Sequence, residues 1–212
     1  MCVNPASLDL ATALCKGTET KICVVCDFPF GLSTTASKVL QAEAYCSGWE
    51  IFELDIVSNY GWLRSGRLAE FTADIKAVVD VCHKYGTAVK VILETDALTP
   101  EEITAGTRCA VAAGADFIKS STGFFTGKAN VGATNEVVKL MMEAGEGKIK
   151  VKGISLGGAG ALFVGILLAM ADWLYFKGLA VPDAPISVGS LLRRFSVVIT
   201  FVLGARFFHE TN

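Results

Sequence analysis

The sequence predicts an α/β fold, an incomplete (β/α)8 or TIM-type barrel of about six parallel strands followed by an apolar helical tail. Three observations carry this expectation. Over residues 1–152, short β-branched runs alternate with amphipathic stretches at the spacing of βαβ units. The strand-like runs contain acidic and basic residues, where a buried parallel strand is normally a continuous Val, Ile and Leu run. After Lys152 the composition changes, and residues 153–171 contain no charged side chain. The chain is therefore read in two parts, 1–152 as a partial barrel and 153–212 as a hydrophobic tail.

Taken in order, residues 2–4 read as a strand remnant, and 21–26, 51–57, 88–94, 116–120 and 149–153 as fuller strands. Helices suit the gaps. The best-marked one begins at Thr99-Pro100-Glu101-Glu102, which supplies an N-cap, a proline at N1 and a capping-box glutamate. Its apolar periodicity runs out near Ala113. Gly48 and Gly114 each close an alanine-rich helix directly before the next strand. No Gly-x-Gly-x-x-Gly turn or Walker sequence interrupts the repetition, which favours a barrel over a dinucleotide-binding sheet. With 212 residues the chain is shorter than the ~250 of a complete barrel.

A formal net charge of -2, with 19% charged residues, provides no basic field for a phosphate polymer, so nucleic acid is excluded as a partner. Seven cysteines, an odd number, and no N-terminal signal pattern predict a reducing cytoplasm and mostly buried free thiols. Cys23-Val24-Val25-Cys26 has C-x-x-C spacing but lies in a strand, where residues three apart face opposite sides. With no second ligand pair and only His83 and His209 as histidines, no metal is expected there.

The charged strand residues carry the chemistry. Glu53 and Asp55 share one face of their strand, Lys90 and Glu94 share a face of theirs, and Lys119 and Lys152 fall late in the last two. An unpaired buried charge costs several kcal/mol, so such groups persist when paired, neutralised or used. In (β/α)8 barrels the active site lies at the C-terminal ends of the strands, where Asp55, Lys119 and Lys152 fall. Two lysines at one mouth repel, which frees an amine lone pair for attack on a carbonyl carbon. The structural alternative is a salt-bridge lattice inside the barrel, and spacing alone does not separate the two. Lys148 and Lys150 come earlier and are read as solvated.

Asp116-Phe117-Ile118-Lys119-Ser120-Ser121-Thr122-Gly123-Phe124 resembles the Schiff-base strand of deoxyribose-phosphate aldolases. Cys2-Val3-Asn4-Pro5, Phe28-Pro29-Phe30-Gly31, Glu53-Leu54-Asp55-Ile56-Val57, Val89-Lys90-Val91-Ile92-Leu93-Glu94-Thr95 and Val151-Lys152 follow the same family in the same order. The resemblance covers residues 1–152. It implies that Lys119 forms the imine, Lys152 perturbs its pKa, Asp55 relays protons, and Cys2, Lys90 and Thr122 line the substrate pocket. The implied reaction is reversible cleavage of 2-deoxy-D-ribose 5-phosphate to acetaldehyde and D-glyceraldehyde 3-phosphate, with no cofactor and no metal. The implied partners are a small phosphorylated sugar and aldehydes, with a homo-oligomer left open. Against the family's pattern, the first and eighth strands are missing, and the usual Gly-Gly-(Ile/Val)-Arg-Thr segment is replaced by residues 153–160. Gly157 and Gly158 could imitate that phosphate-binding segment, though two glycines alone are a weak match to it.

The uncharged run 153–171 has the length of a membrane span and ends in Asp172-Trp173-Leu174-Tyr175-Phe176, an interface-like cluster. A second run, 195–205, is short for a span. Membrane contact through 153–208 and packing of both runs against the barrel are both consistent with these lengths. Residues from Trp173 to Glu210 resemble the late helices of EamA-like drug/metabolite transporters. The alternative to an active enzyme is thus an inactive aldolase fragment joined to a transporter-derived membrane segment.

Overall fold

The computed structural model of the protein describes residues 1–127 and 132–153. The two apolar tail runs, Gly157 and Gly158, and the transporter-like stretch all lie outside the described residues. Among those that are described, no helix is long and apolar enough to cross a membrane.

Six strands form one parallel sheet in sequential order: β1 (Cys2–Val3), β2 (Cys23–Cys26), β3 (Glu53–Val57), β4 (Ala88–Ile92), β5 (Phe117–Lys119) and β6 (Lys150–Lys152). Between them run helices α1 (Leu8–Cys15), α2 (Thr35–Gly48), α3 (Tyr60–Arg64), α4 (Leu68–Lys84), α5 (Pro100–Ala112) and α6 (Asn135–Gly145). Parallel neighbours joined by helical crossovers in unbroken order are the arrangement expected of a (β/α) barrel.

The sheet's two faces differ, and the difference is written in alternate residues. Val24 and Cys26, Leu54 and Ile56, Val89 and Val91, and Ile118 belong to one apolar core with the helices. The residues between them point the other way and include Cys23, Asp55, Lys90 and Lys119, all buried. The helix-facing side thus supplies hydrophobic burial at roughly 25 cal/mol per Å², and the inner side carries charge.

Each helix offers a stripe to the first face. In α4, Phe71, Ile75, Val78, Val79 and Cys82 recur at helical spacing and are buried, while Lys76 and Asp80 pair at 2.7 Å on the solvent side. Removing the Phe71 ring would cost about 3–5 kcal/mol through the cavity it leaves. In α2, Thr34 caps the first turn by accepting from the Ser37 amide, and Lys38, Ala42 and Cys46 form the buried row. The Lys38 ammonium is satisfied there by Asp74 of α4 at 2.7 Å and the Val57 carbonyl at 3.3 Å. The expected capping box of α5 is present: Thr99 Oγ1 accepts from the Glu102 amide, and Glu102 accepts from the Thr99 amide. That helix ends at Ala112 with Ala113 as its C-cap.

Three expectations are corrected. The strands are shorter than their β-branched runs, because ladder pairing stops where the chain turns toward a helix. Glu94 does not share a strand face with Lys90: β4 ends at Ile92, and Glu94 adopts left-handed geometry (φ 61°) before a short 3-10 helix, Thr95–Ala97. Nor do Gly48 and Gly114 repeat one device. Gly114 has φ 82° after α5, whereas Gly48 is the last helical residue of α2 and takes no left-handed turn.

Candidate active site

Strand pairing brings the inner-face residues together. Asp55 and Lys90 are Cα partners across β3 and β4, and Lys119 pairs with Ile92 and with Lys152. From these positions the Asp55 carboxylate receives two ammonium groups, Lys90 on Oδ1 and Lys119 on Oδ2, each at 2.9 Å. Glu53 also accepts from Lys90. Asp55 and Lys90 are each 2% exposed and Lys119 8%, so this is an almost dry ionic cluster with every charge paired. The Phe117 ring closes its floor, with Lys90 Nζ 5.4 Å from the ring centroid.

Environment moves the titration of these groups in opposite directions. Burial pushes the Asp55 carboxyl up, but the attraction of Lys119 and Lys90 outweighs it and holds the group below the usual carboxylate range. Burial likewise opposes the charge on Lys90, yet the bonds to Glu53 and Asp55 raise it above the ordinary lysine range. Lys90 is therefore a fixed cation. Lys119, at the C-terminal end of β5, has its amine hydrogen-bonded to the other oxygen of the same carboxylate.

Cys2 and Cys23, Cα partners on β1 and β2, place their sulfurs 3.3 Å apart. Asp55 Oδ1 lies 3.2 Å from the Cys23 sulfur and shares the single S–H of Cys23 with Cys2. The expectation that Cys23 and Cys26 face opposite sides holds, since Cys26 donates instead to the Lys38 carbonyl. Cys23 itself reaches the site through the register of β1 and β2 with β3, which strand parity alone does not signal. Cys2, Cys23 and Asp55 present three metal-type ligand atoms within 4.8 Å of one another. Two ammonium groups already hold that carboxylate, an arrangement that repels a cation.

Thr122 is joined to the site indirectly. Its amide lies 3.3 Å from both Glu94 oxygens, and its hydroxyl also donates to Glu94. Burial keeps the Glu94 carboxyl above its usual range despite these bonds. Left-handed backbone at Glu94 is what turns its side chain toward the loop after β5, and a strand-based reading of 88–94 could not have found it. Lys152 is level with Lys119 in register but exposed, and the charge bonded to Lys119 is the Asp55 carboxylate. Lys148 and Lys150 are exposed as expected, with Lys150 Nζ 5.0 Å from the Phe117 centroid.

Residues 38–162, more than half of the chain, match the model of the DeoC/LacD family aldolases. The chain belongs to that family. Within this aldolase family, the chain is 44% identical over 158 residues to a deoxyribose-phosphate aldolase of Carboxydothermus hydrogenoformans, covering 72% of the chain and 65% of the relative. It is also 44% identical over 144 residues to one from Clostridium perfringens, covering 68% of the chain and 61% of the relative. Among solved structures, an aldolase described as QR15 superposes with a TM-score of 0.64 at 38% identity, over 72% of the chain and 65% of that structure. The deoxyribose-phosphate aldolase of Aeropyrum pernix, described as tetrameric, gives 0.63 at 25% identity, over 74% and 63%. The chain thus spans somewhat less than two thirds of the length of these relatives. A groove lined by Lys16, Lys21, Phe52, Tyr85 and Gly86 lies at the opposite, N-terminal ends of the strands, away from the site of this aldolase-family chain.

Proposed function

We propose that the chain is a class I aldolase that reversibly cleaves 2-deoxy-D-ribose 5-phosphate to acetaldehyde and D-glyceraldehyde 3-phosphate, with Lys119 as nucleophile. The observation that carries this reading is the buried Lys119 amine bonded to Asp55 at the end of a barrel strand, in a chain of an aldolase family. A buried lysine adds to an aldehyde carbon through its neutral amine, and the carboxylate beside it is placed to relay the protons that imine formation moves.

Loss of water from the adduct then gives an iminium between Lys119 Nζ and the former carbonyl carbon. As the bond between the α carbon and the hydroxyl-bearing carbon breaks, its electron pair moves into the iminium, leaving an enamine. The hydroxyl proton departs to a base, and the phosphorylated aldehyde leaves. Protonation of the enamine and hydrolysis release acetaldehyde and restore the amine. Asp55 is the group placed to relay protons, and Lys90 fixes its orientation. Lys152, one strand away at the level of Lys119, adds positive charge at the strand ends, while Cys2 and Thr122 border the cleft.

The test is borohydride trapping with acetaldehyde, read by intact mass and peptide mapping. An adduct on Lys119, lost in Lys119→Ala, is expected. Folded protein that forms no adduct, or forms the same one after Lys119→Ala, would overturn the proposal.

A further inference from the structure

The sulfur pair beside Asp55 makes or breaks no bond in the aldol chemistry, yet its geometry is that of a reactive dithiol. Cys2 and Cys23 are directly paired across adjacent parallel strands, and their sulfurs approach to 3.3 Å on the inner face of the sheet. Cross-strand Cα partners lie about 4.8 Å apart, inside the separation that a disulfide bridges without backbone movement. We propose that Cys2 and Cys23 form an oxidisable dithiol, which a hydroperoxide converts to a disulfide within the candidate active site, removing the thiol that donates to Asp55.

The two sulfurs are not equivalent. Cys2 is exposed and Cys23 buried. The hydrogen bond from Cys23, helped by the Lys119 and Lys90 charges, lowers the Cys2 thiol to about 7. The same bond, together with burial and the Asp55 charge, raises Cys23. The proton stays on Cys23, and a substantial share of Cys2 is thiolate at neutral pH, the form that attacks peroxide. Cys2 sulfur bonds to one peroxide oxygen, the O–O bond breaks, and hydroxide leaves to take up a proton, giving a sulfenic acid. Cys23 sulfur then attacks Cys2 sulfur, the S–O bond breaks, and the departing hydroxide accepts the Cys23 proton. Two thiols and one hydrogen peroxide thus yield one disulfide and two waters, and an organic hydroperoxide would leave as its alcohol in place of the first water.

A second pair provides an internal comparison. Cys46 and Cys82, on α2 and α4, lie 3.9 Å apart, and their contact lowers the Cys46 thiol to about 7 as well, but both are buried in the apolar core, out of reach of peroxide. The proposal therefore predicts selective oxidation rather than general thiol loss.

The full chain, reduced and freed of reductant, is treated with hydrogen peroxide, denatured in an alkylating reagent and mapped without reduction. Fragment spectra must separate Cys2 from Cys15 and Cys23 from Cys26, because each pair shares a tryptic peptide. The expected result is a Cys2–Cys23 link, loss of two of the seven thiols, reversal by dithiothreitol, and alkylatable Cys46 and Cys82. In Cys23→Ser, Cys2 should instead be trapped by dimedone as the sulfenic acid. A link between other cysteines, or Cys2 oxidised to sulfinic acid with Cys23 still free in the wild type, would overturn the proposal. Bond formation is independent of the aldolase reading. If the reduced protein forms no imine but the link appears, that reading fails alone, and if the imine forms without the link, this proposal fails alone.

Discussion

Lys119 donates to Asp55 across a full intervening strand: the bond runs from β5 to β3 over β4, at 2.9 Å. Strands two apart are separated by roughly 10 Å, so only a long side chain reaching sideways over the inner face makes this contact. Lys90, on the strand between, takes the other carboxylate oxygen. One carboxylate thereby ties three strands together at the point where Lys119 sits.

Replacing Asp55 by Asn preserves the shape of the side chain while removing its charge and its capacity to accept a proton. Imine trapping at Lys119 should slow by about 10²–10⁴-fold, the usual contribution of a positioned acid or base. Trapping rates on folded protein, verified by circular dichroism, check this. An unchanged rate would exclude Asp55 as the proton relay.

Stability should depend on pH with opposite sign at two carboxylates. The Asp55 carboxyl is depressed below its ordinary 3.8, so its contribution is complete above that value and is lost as pH falls through the folded value. Glu94 is raised above its ordinary 4.5, so its contribution is complete below that value and is lost as pH rises through the folded one. The stability difference between wild type and Asp55→Asn should therefore shrink below pH 3.8. Glu94→Gln should gain on the wild type as pH rises from 4.5. Urea titrations over a pH series measure both, and parallel curves for wild type and variant would refute the corresponding assignment.

Lys38 is fully buried between α2 and α4, with its ammonium on Asp74 and 3.8 Å from Asp27. Lys38→Met leaves the Asp74 charge without its cation, and unfolding free energy should drop by about 3–5 kcal/mol. The double variant Lys38→Met/Asp74→Leu should recover much of the loss, because two apolar side chains replace the pair. Urea midpoints at constant m report the effect. Imine trapping per folded molecule should stay unchanged, since this cluster lies on the helix side of the sheet.

Gly31 is a position where a side chain has no room. Its φ is 67°, and an added Cβ would lie 2.5 Å from the Ser58 carbonyl oxygen and 2.8 Å from that of Val57. Both obstacles are backbone, so Gly31→Ala should cost at least about 1–3 kcal/mol. A melting temperature within experimental error of the wild type would contradict this.

The fold was legible because hydrophobic period and helix capping are local signals. The box at Thr99 and Glu102 reads directly from four residues, and the strand order follows from regular alternation. The site was legible for a different reason: Asp55, Lys90 and Lys119 are charges where parallel strands rarely carry them. What the sequence concealed depended on backbone geometry or on distant partners. Left-handed backbone removes Glu94 from its strand, and Cys23 shows its role only once β1 and β2 are in register with β3. Similarly, mutual repulsion of Lys119 and Lys152 was expected from their placement, whereas the charge bonded to Lys119 came from β3, two strands away.

The sequential order of the sheet has a consequence for synthesis. Each strand pairs with the one made just before it, and the widest step, Glu53 to Ala88, spans 35 residues. Loop-closure entropy grows only logarithmically with length, so strands can be added one at a time as the chain emerges. The bond between Asp55 and Lys119 spans 64 residues and cannot form until β5 has docked. During that interval the nascent sheet holds a carboxylate neutralised by Lys90 alone, and Lys119 arrives only after its acceptor is in place.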